Sequence, residues 1–143
     1  MRVGERMPEL IGESAWLNGR IDKRYLLGKP SIIHFWSVSC GSCKRSMEQF
    51  NQLRDRYADQ LEIVSVHMPR SDKDLDIDLV KKTVRDLGMT QSVLIDNDHA
   101  VTDEFRNRNV PSYYLFDHEG KLYHVQSGDR GMRLLERKIE RLL

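Results

Sequence analysis

Ser31-Ile32-Ile33-His34-Phe35-Trp36-Ser37-Val38-Ser39-Cys40-Gly41-Ser42-Cys43 is the stretch on which the fold turns. Its first six residues are a short run of apolar and β-forming residues set off by Gly28-Lys29-Pro30, the pattern of a buried strand. Beyond Cys43, Met47, Phe50, Leu53 and Tyr57 recur at spacings of three and four, which predicts a helix. Leu61 to Met68 then returns to a strand pattern. The order is strand, C-x-x-C, helix, strand. Cys40 falls at or just before the first helical turn and Cys43 one turn inside, so the free N–H groups and positive dipole end of the helix face the first sulfur.

That placement suits one kind of chemistry. Disulfide exchange is performed by the thiolate, and lowering a thiol pKa from its usual value of about 8.5 to about 7 takes about 2 kcal/mol of anion stabilisation. A helix terminus supplies about 0.3 to 1 kcal/mol, and up to about 2 in partly buried geometry. Cys40 is therefore the candidate nucleophile, more exposed than Cys43, which would close the disulfide as the resolving thiol. Gly41 permits a tight backbone. The Ser42 hydroxyl either donates to the thiolate or serves only as a small turn residue. A structural zinc site wants four ligands, and His34, His67, His99, His118 and His124 lie at spacings that fit no finger or ribbon, so no metal and no cofactor are expected.

The remainder of the chain extends this unit on both sides. Ser14-Ala15-Trp16-Leu17, Asn18-Gly19 and Arg20-Ile21 predict an N-terminal β-hairpin, because Asn-Gly meets the positive φ angles of a type I′ turn. Asp76 to Leu87 predicts a helix ending at Gly88, followed by the strand Val93-Leu94-Ile95. Val101 to Arg108 predicts a short helix, Ser112 to Phe116 and Lys121 to Gln126 a closing hairpin, and Met132 to Leu142 an amphipathic terminal helix. Pro69 to Leu75 is expected to be a polar loop. With 143 residues, one domain over 1–143 is expected. The 23 basic and 22 acidic residues nearly cancel, which leaves no footprint for nucleic acid or an anionic membrane. No stretch approaches a membrane span, and the residues after Met1 have no signal-peptide character, so the chain as it stands is expected to be a cytoplasmic monomer, or extracytoplasmic or anchored if a leader was removed.

Gly28-Lys29-Pro30, Phe35-Trp36, Cys40-Gly41-Ser42-Cys43-Lys44, Val110-Pro111 and Asp117-His118-Glu119-Gly120-Lys121, in register over nearly the whole chain, resemble the thioredoxin superfamily and specifically its TlpA-like thiol-disulfide oxidoreductases. Val3-Gly4 with Met7-Pro8-Glu9-Leu10 resembles that branch's opening motif, and residues 77–95 its extra helix and strand. The resemblance implies an α/β fold with a central mixed β-sheet flanked by helices, an N-terminal β-hairpin and a central α-β insertion. It implies Pro111 in the cis form facing the cysteine pair, with Val110 offering a short backbone edge to an extended protein substrate. It implies protein thiols and disulfides as substrates and a reductase or oxidase as redox partner.

The sequence also departs from the family pattern. Ser39 stands where an aromatic is common, Ser42 and Glu48 where prolines are common, and Pro69-Arg70 where cytochrome-maturation members carry an acid. His34 occupies the position of thioredoxin's buried Asp. On a strand covered on both faces its imidazole is either a proton acceptor for Cys43 or a hydrogen-bonded core residue. Trp36 is expected to pack under the active site. Two other functions compete: a thiol peroxidase, for which Ser37 fits the pattern and Ile33 does not, and a redox-responsive binding module without turnover.

Overall fold

The computed structural model describes residues 1–143. β2 (Ser31–Trp36) lies inside a six-stranded sheet, parallel to β3 (Glu62–His67) on one side and antiparallel to β5 (Ser112–Phe116) on the other. All six of its residues are buried, as expected for a strand covered on both faces. Alternation along it divides the interior in two. Ile32 and Trp36 enter one core with Met47, Phe50 and Leu53 of α2 (Gly41–Arg56), Val80 and Val84 of α3 (Ile77–Asp86), and Leu135 and Ile139 of α5 (Met132–Leu142). Ile33 and Phe35 enter the other with Leu26 of α1 (Lys23–Leu26) and Val101 and Phe105 of α4 (Ala100–Phe105). With β1 (Ala15–Leu17), β4 (Ser92–Ile95) and β6 (Leu122–Ser127), the strand order is β1-β4-β3-β2-β5-β6.

Local chemistry explains most boundaries. The Asp76 carboxylate accepts from Asp78 N–H and Leu79 N–H and starts α3, and Gly88, at φ 69°, follows its end. The Asp117 carboxylate accepts from Glu119 N–H and Lys121 N–H and shapes the turn between β5 and β6.

The N-terminal hairpin does not form. Asn18 and Gly19 do take positive φ angles of 61° and 103°, but the chain does not return alongside β1. β1 instead pairs antiparallel with β4, Ala15 opposite Ile95 and Leu17 opposite Val93. A lone hairpin is marginal in water, whereas the edge of a large sheet offers paired backbone and a buried face at once. The Asn18 side chain reinforces that choice by donating to the carbonyls of Met89 and Gln91, each at 2.9 Å. Asn18→Ala should lower stability by about 2 kcal/mol in urea titration, since two partly buried hydrogen bonds and a left-handed residue are lost together. A loss below a few tenths would show that the contact does not hold β1 in place.

Candidate active site

The first turn of α2 is built on sulfur. Cys40 is its N-cap, and Cys40 Sγ accepts from Cys43 N–H at 3.1 Å, the position a Ser or Asp oxygen usually fills. The Ser42 hydroxyl lies 3.4 Å from the same sulfur. Cys40 and Cys43 form a disulfide with Cα atoms 5.2 Å apart. The two sulfur-bearing residues differ little in exposure, 2% for Cys40 and 0% for Cys43. Cys40 is thus the outer cysteine by its place at the helix end, between exposed Ser39 and exposed Gly41, and is largely covered itself in the disulfide form.

The approach to Cys40 is fastened residue by residue to the segment after β3. Met68 N–H donates to the Trp36 carbonyl at 2.8 Å, and the Ser37 hydroxyl to the Met68 carbonyl. Val38 N–H donates to His67 Nε2 at 3.1 Å. The Ser39 hydroxyl donates to Asp74 Oδ2 at 2.7 Å, and Arg70 N–H donates to the same oxygen at 2.9 Å. The Arg70 guanidinium reaches the Ser39 oxygen at 3.3 Å. Asp74 is only 1% exposed, inside a 3₁₀ turn over Asp72–Leu75. The polar loop expected over Pro69 to Leu75 is therefore partly ordered and puts a buried acid beside the active-site approach, although the position right after β3 holds none. Sequence reasoning missed Asp74 because Asp72, Asp74, Asp76 and Asp78 alternate through a charged run that reads as solvated.

Beneath the disulfide lies a row of buried aromatic and imidazole rings. His34 is fully buried, its ring centroid 4.4 Å from Phe50 and 5.1 Å from Tyr113. Its Nδ1 lies 2.7 Å from the Ser65 hydroxyl, which accepts from the Gln91 amide at 2.9 Å. The other ring nitrogen, His34 Nε2, has no hydrogen-bond partner. Burial lowers the His34 pKa to about 3 and that of His67 to about 4, the latter against the upward pull of Asp74 and Asp96. Neither His34 nitrogen hydrogen-bonds a cysteine sulfur. Trp36 is fully buried in the same core as both cysteines and packs edge-on against His67 at 5.0 Å.

Val110–Pro111 is a cis peptide bond. Pro111 is buried, its carbonyl accepting from Gly128 N–H at 2.9 Å, while Val110 is half-buried and its backbone N–H and carbonyl bond to nothing else in the chain. Ser112 and Asn107 donate to the Asn109 carbonyl just before it, at 2.6 and 2.9 Å. No group of three His, Cys, Asp or Glu side chains converges as a metal site would require.

Comparison with known proteins agrees with this geometry. The AhpC/TSA family model matches residues 3–125. The thiol-disulfide oxidoreductase YkuV of Bacillus subtilis (strain 168) is 51% identical over 144 aligned positions, covering 100% of this chain and 97% of that protein. Protein DipZ of Mycobacterium bovis is 31% identical over 95% of this chain, which spans 20% of DipZ's length. The solution structure of a thioredoxin-like protein in the oxidised form superposes with a TM-score of 0.92 at 50% identity, covering 99% of this chain and 97% of that one. A Cys-x-x-Cys disulfide capping the first helix after a central strand, in a thioredoxin-like sheet matched end to end by such relatives, places the chain in the AhpC/TSA family among its thioredoxin-like thiol-disulfide oxidoreductases.

Proposed function

We propose that the chain exchanges disulfides with protein substrates through Cys40, with Cys43 resolving. The observation that carries this is the N-cap position of Cys40 Sγ, which receives the Cys43 N–H. In the reduced form the Cys40 thiolate attacks a substrate disulfide, forming a mixed disulfide and releasing one substrate thiolate. Cys43 then loses its proton and attacks Cys40 Sγ, the mixed disulfide breaks, and the second substrate thiolate leaves. Two electrons pass to the substrate and the Cys40–Cys43 bond closes. The reverse sequence oxidises a substrate dithiol. A reductase or oxidase renews the starting form. The free backbone groups of Val110 suit pairing with an extended substrate strand during these steps.

Titration in redox buffers fixes the direction of flow, because a Cys-x-x-Cys pair can lie anywhere between about −270 and −120 mV. Catalytic turnover of insulin disulfides supports exchange, and capture of a partner by one redox state without turnover would instead make the disulfide a surface switch. Peroxide consumption by the reduced protein should stay near that of a free thiol. Ser37, the residue a peroxidase would use, already donates its hydroxyl to the Met68 carbonyl. Rapid peroxide turnover would reverse this assignment.

A further inference from the structure

The Asp74 carboxylate is the one buried charge tied directly to the residue that precedes Cys40. Its position is prepared from several sides. Asp74 N–H donates to the Ser71 carbonyl at 3.0 Å, the Asn97 amide donates to the Leu75 carbonyl at 3.1 Å, and Asp76 caps the helix that follows. The turn carrying the carboxylate is thus held independently of the active site. A buried anion so placed should be costly unless it is hydrogen-bonded, and here its partners are the Ser39 hydroxyl and the Arg70 backbone.

We infer that Asp74 is a positioning residue for Cys40: its carboxylate anchors Ser39, and with it the backbone that presents the sulfur, while its negative charge restrains thiolate formation in the reduced protein. This rests on Cys40 being the nucleophile. The sign follows from like charges. A thiolate at Cys40 forms in the field of Asp74, which disfavours it, whereas the Cys43 N–H and the Arg70 guanidinium on Ser39 favour it. The other charged or titratable groups around the pair are His67 on β3, held neutral by burial, Asp96 at the end of β4, whose carboxylate accepts from Val101 N–H, Thr102 N–H and the Thr102 hydroxyl, and exposed Lys44 and Arg45 on α2. Of the carboxylates among them, only Asp74 touches the approach to Cys40.

The pH dependence of iodoacetamide alkylation in the reduced protein, with the modified residue read by mass spectrometry, tests this. Asp74→Asn keeps a side-chain oxygen for Ser39 and Arg70 but removes the charge. It should lower the Cys40 midpoint by about half a unit, a threefold gain in thiolate below the midpoint, and move the reduction potential to a less negative value. Arg70→Gln should move the midpoint the other way. Ser39→Ala keeps the charge and releases the anchor, so peptide-disulfide exchange per thiolate should fall several-fold even where the variant, though less stable for the lost Asp74 hydrogen bond, is fully folded. An unshifted Asp74→Asn midpoint overturns the charge role, and an unchanged Ser39→Ala exchange rate overturns the anchoring role. If Asp74→Asn does not fold, Arg70→Gln and Ser39→Ala decide in its place. First alkylation at Cys43 would instead overturn the assignment of Cys40 as nucleophile.

Discussion

Cys40→Ser is expected to reduce insulin-disulfide exchange to the uncatalysed rate, a loss of at least about a thousandfold, whereas Cys43→Ser should form a mixed disulfide with substrate and hold it. The asymmetry comes from the helix. Cys40 is the N-cap and its sulfur receives a main-chain N–H, while Cys43 is fully buried one turn in and meets substrate only through Cys40. Removing the attacking sulfur leaves no nucleophile at the helix end. Removing the resolving one leaves an adduct that only external thiol can release. Non-reducing electrophoresis of each variant with a disulfide-containing protein checks this. An adduct formed through Cys43 in the Cys40→Ser protein would show that the inner sulfur is the one reached.

Acid should destabilise the oxidised protein by about 5 kcal/mol between pH 7.5 and pH 4.5. Burial holds His34 and His67 neutral, with pKa values of about 3 and about 4 against 6.5 for an ordinary histidine. As pH falls below 6.5 the unfolded chain takes up two protons that the folded chain refuses, so stability is lost through that window and is complete above it. Each histidine contributes about 1.4 kcal/mol per pH unit across its gap. Urea unfolding at the two pH values measures the loss. His34→Asn, which keeps a polar partner for Ser65 but does not titrate, should remove about half of the slope. An unchanged slope would mean that the ring at position 34 is already reached by protons in the folded state. The same variant settles the proton-transfer question for Cys43 under single-turnover conditions. Slower release of the Cys40 mixed disulfide near pH 7 would assign the proton to His34, and equal rates from pH 6 to 8 would leave it to solvent.

The fold could be read where side-chain periodicity and local chemistry agree. Ser31 to Trp36 is too apolar and too short to be anything but a covered strand, and Met47, Phe50 and Leu53 mark the buried stripe of α2. Ser112 to Phe116 and Met132 to Leu142 form as their patterns predict. The hairpin failed because Asn18-Gly19 records the turn angles but not the partner, and the partner is β4, more than seventy residues away. At the site, the two cysteines were legible from their spacing together with their place between a strand and the helix that follows. Asp74 was not, because its importance arises only when the turn after β3 folds back on Ser39, a contact across 35 residues with no local signature. The hydrogen bond of His34 was equally hidden, since Ser65 reaches the ring only through the sheet and is itself held by the Gln91 amide.

The disulfide closes a ring of just four residues, Cys40 to Cys43. Loop-closure entropy for so short a ring amounts to about 2 kcal/mol, and less where a helix already fixes both ends. Breaking the bond therefore frees little chain disorder, and most of the two cores on either side of the sheet is built from residues other than the pair. Opening so small a ring changes the entropy of the chain far less than opening a long-range staple would. The molecule's tendency to give or take electrons is then governed by the surroundings of two sulfur atoms and is almost uncoupled from how firmly the rest of the chain is folded.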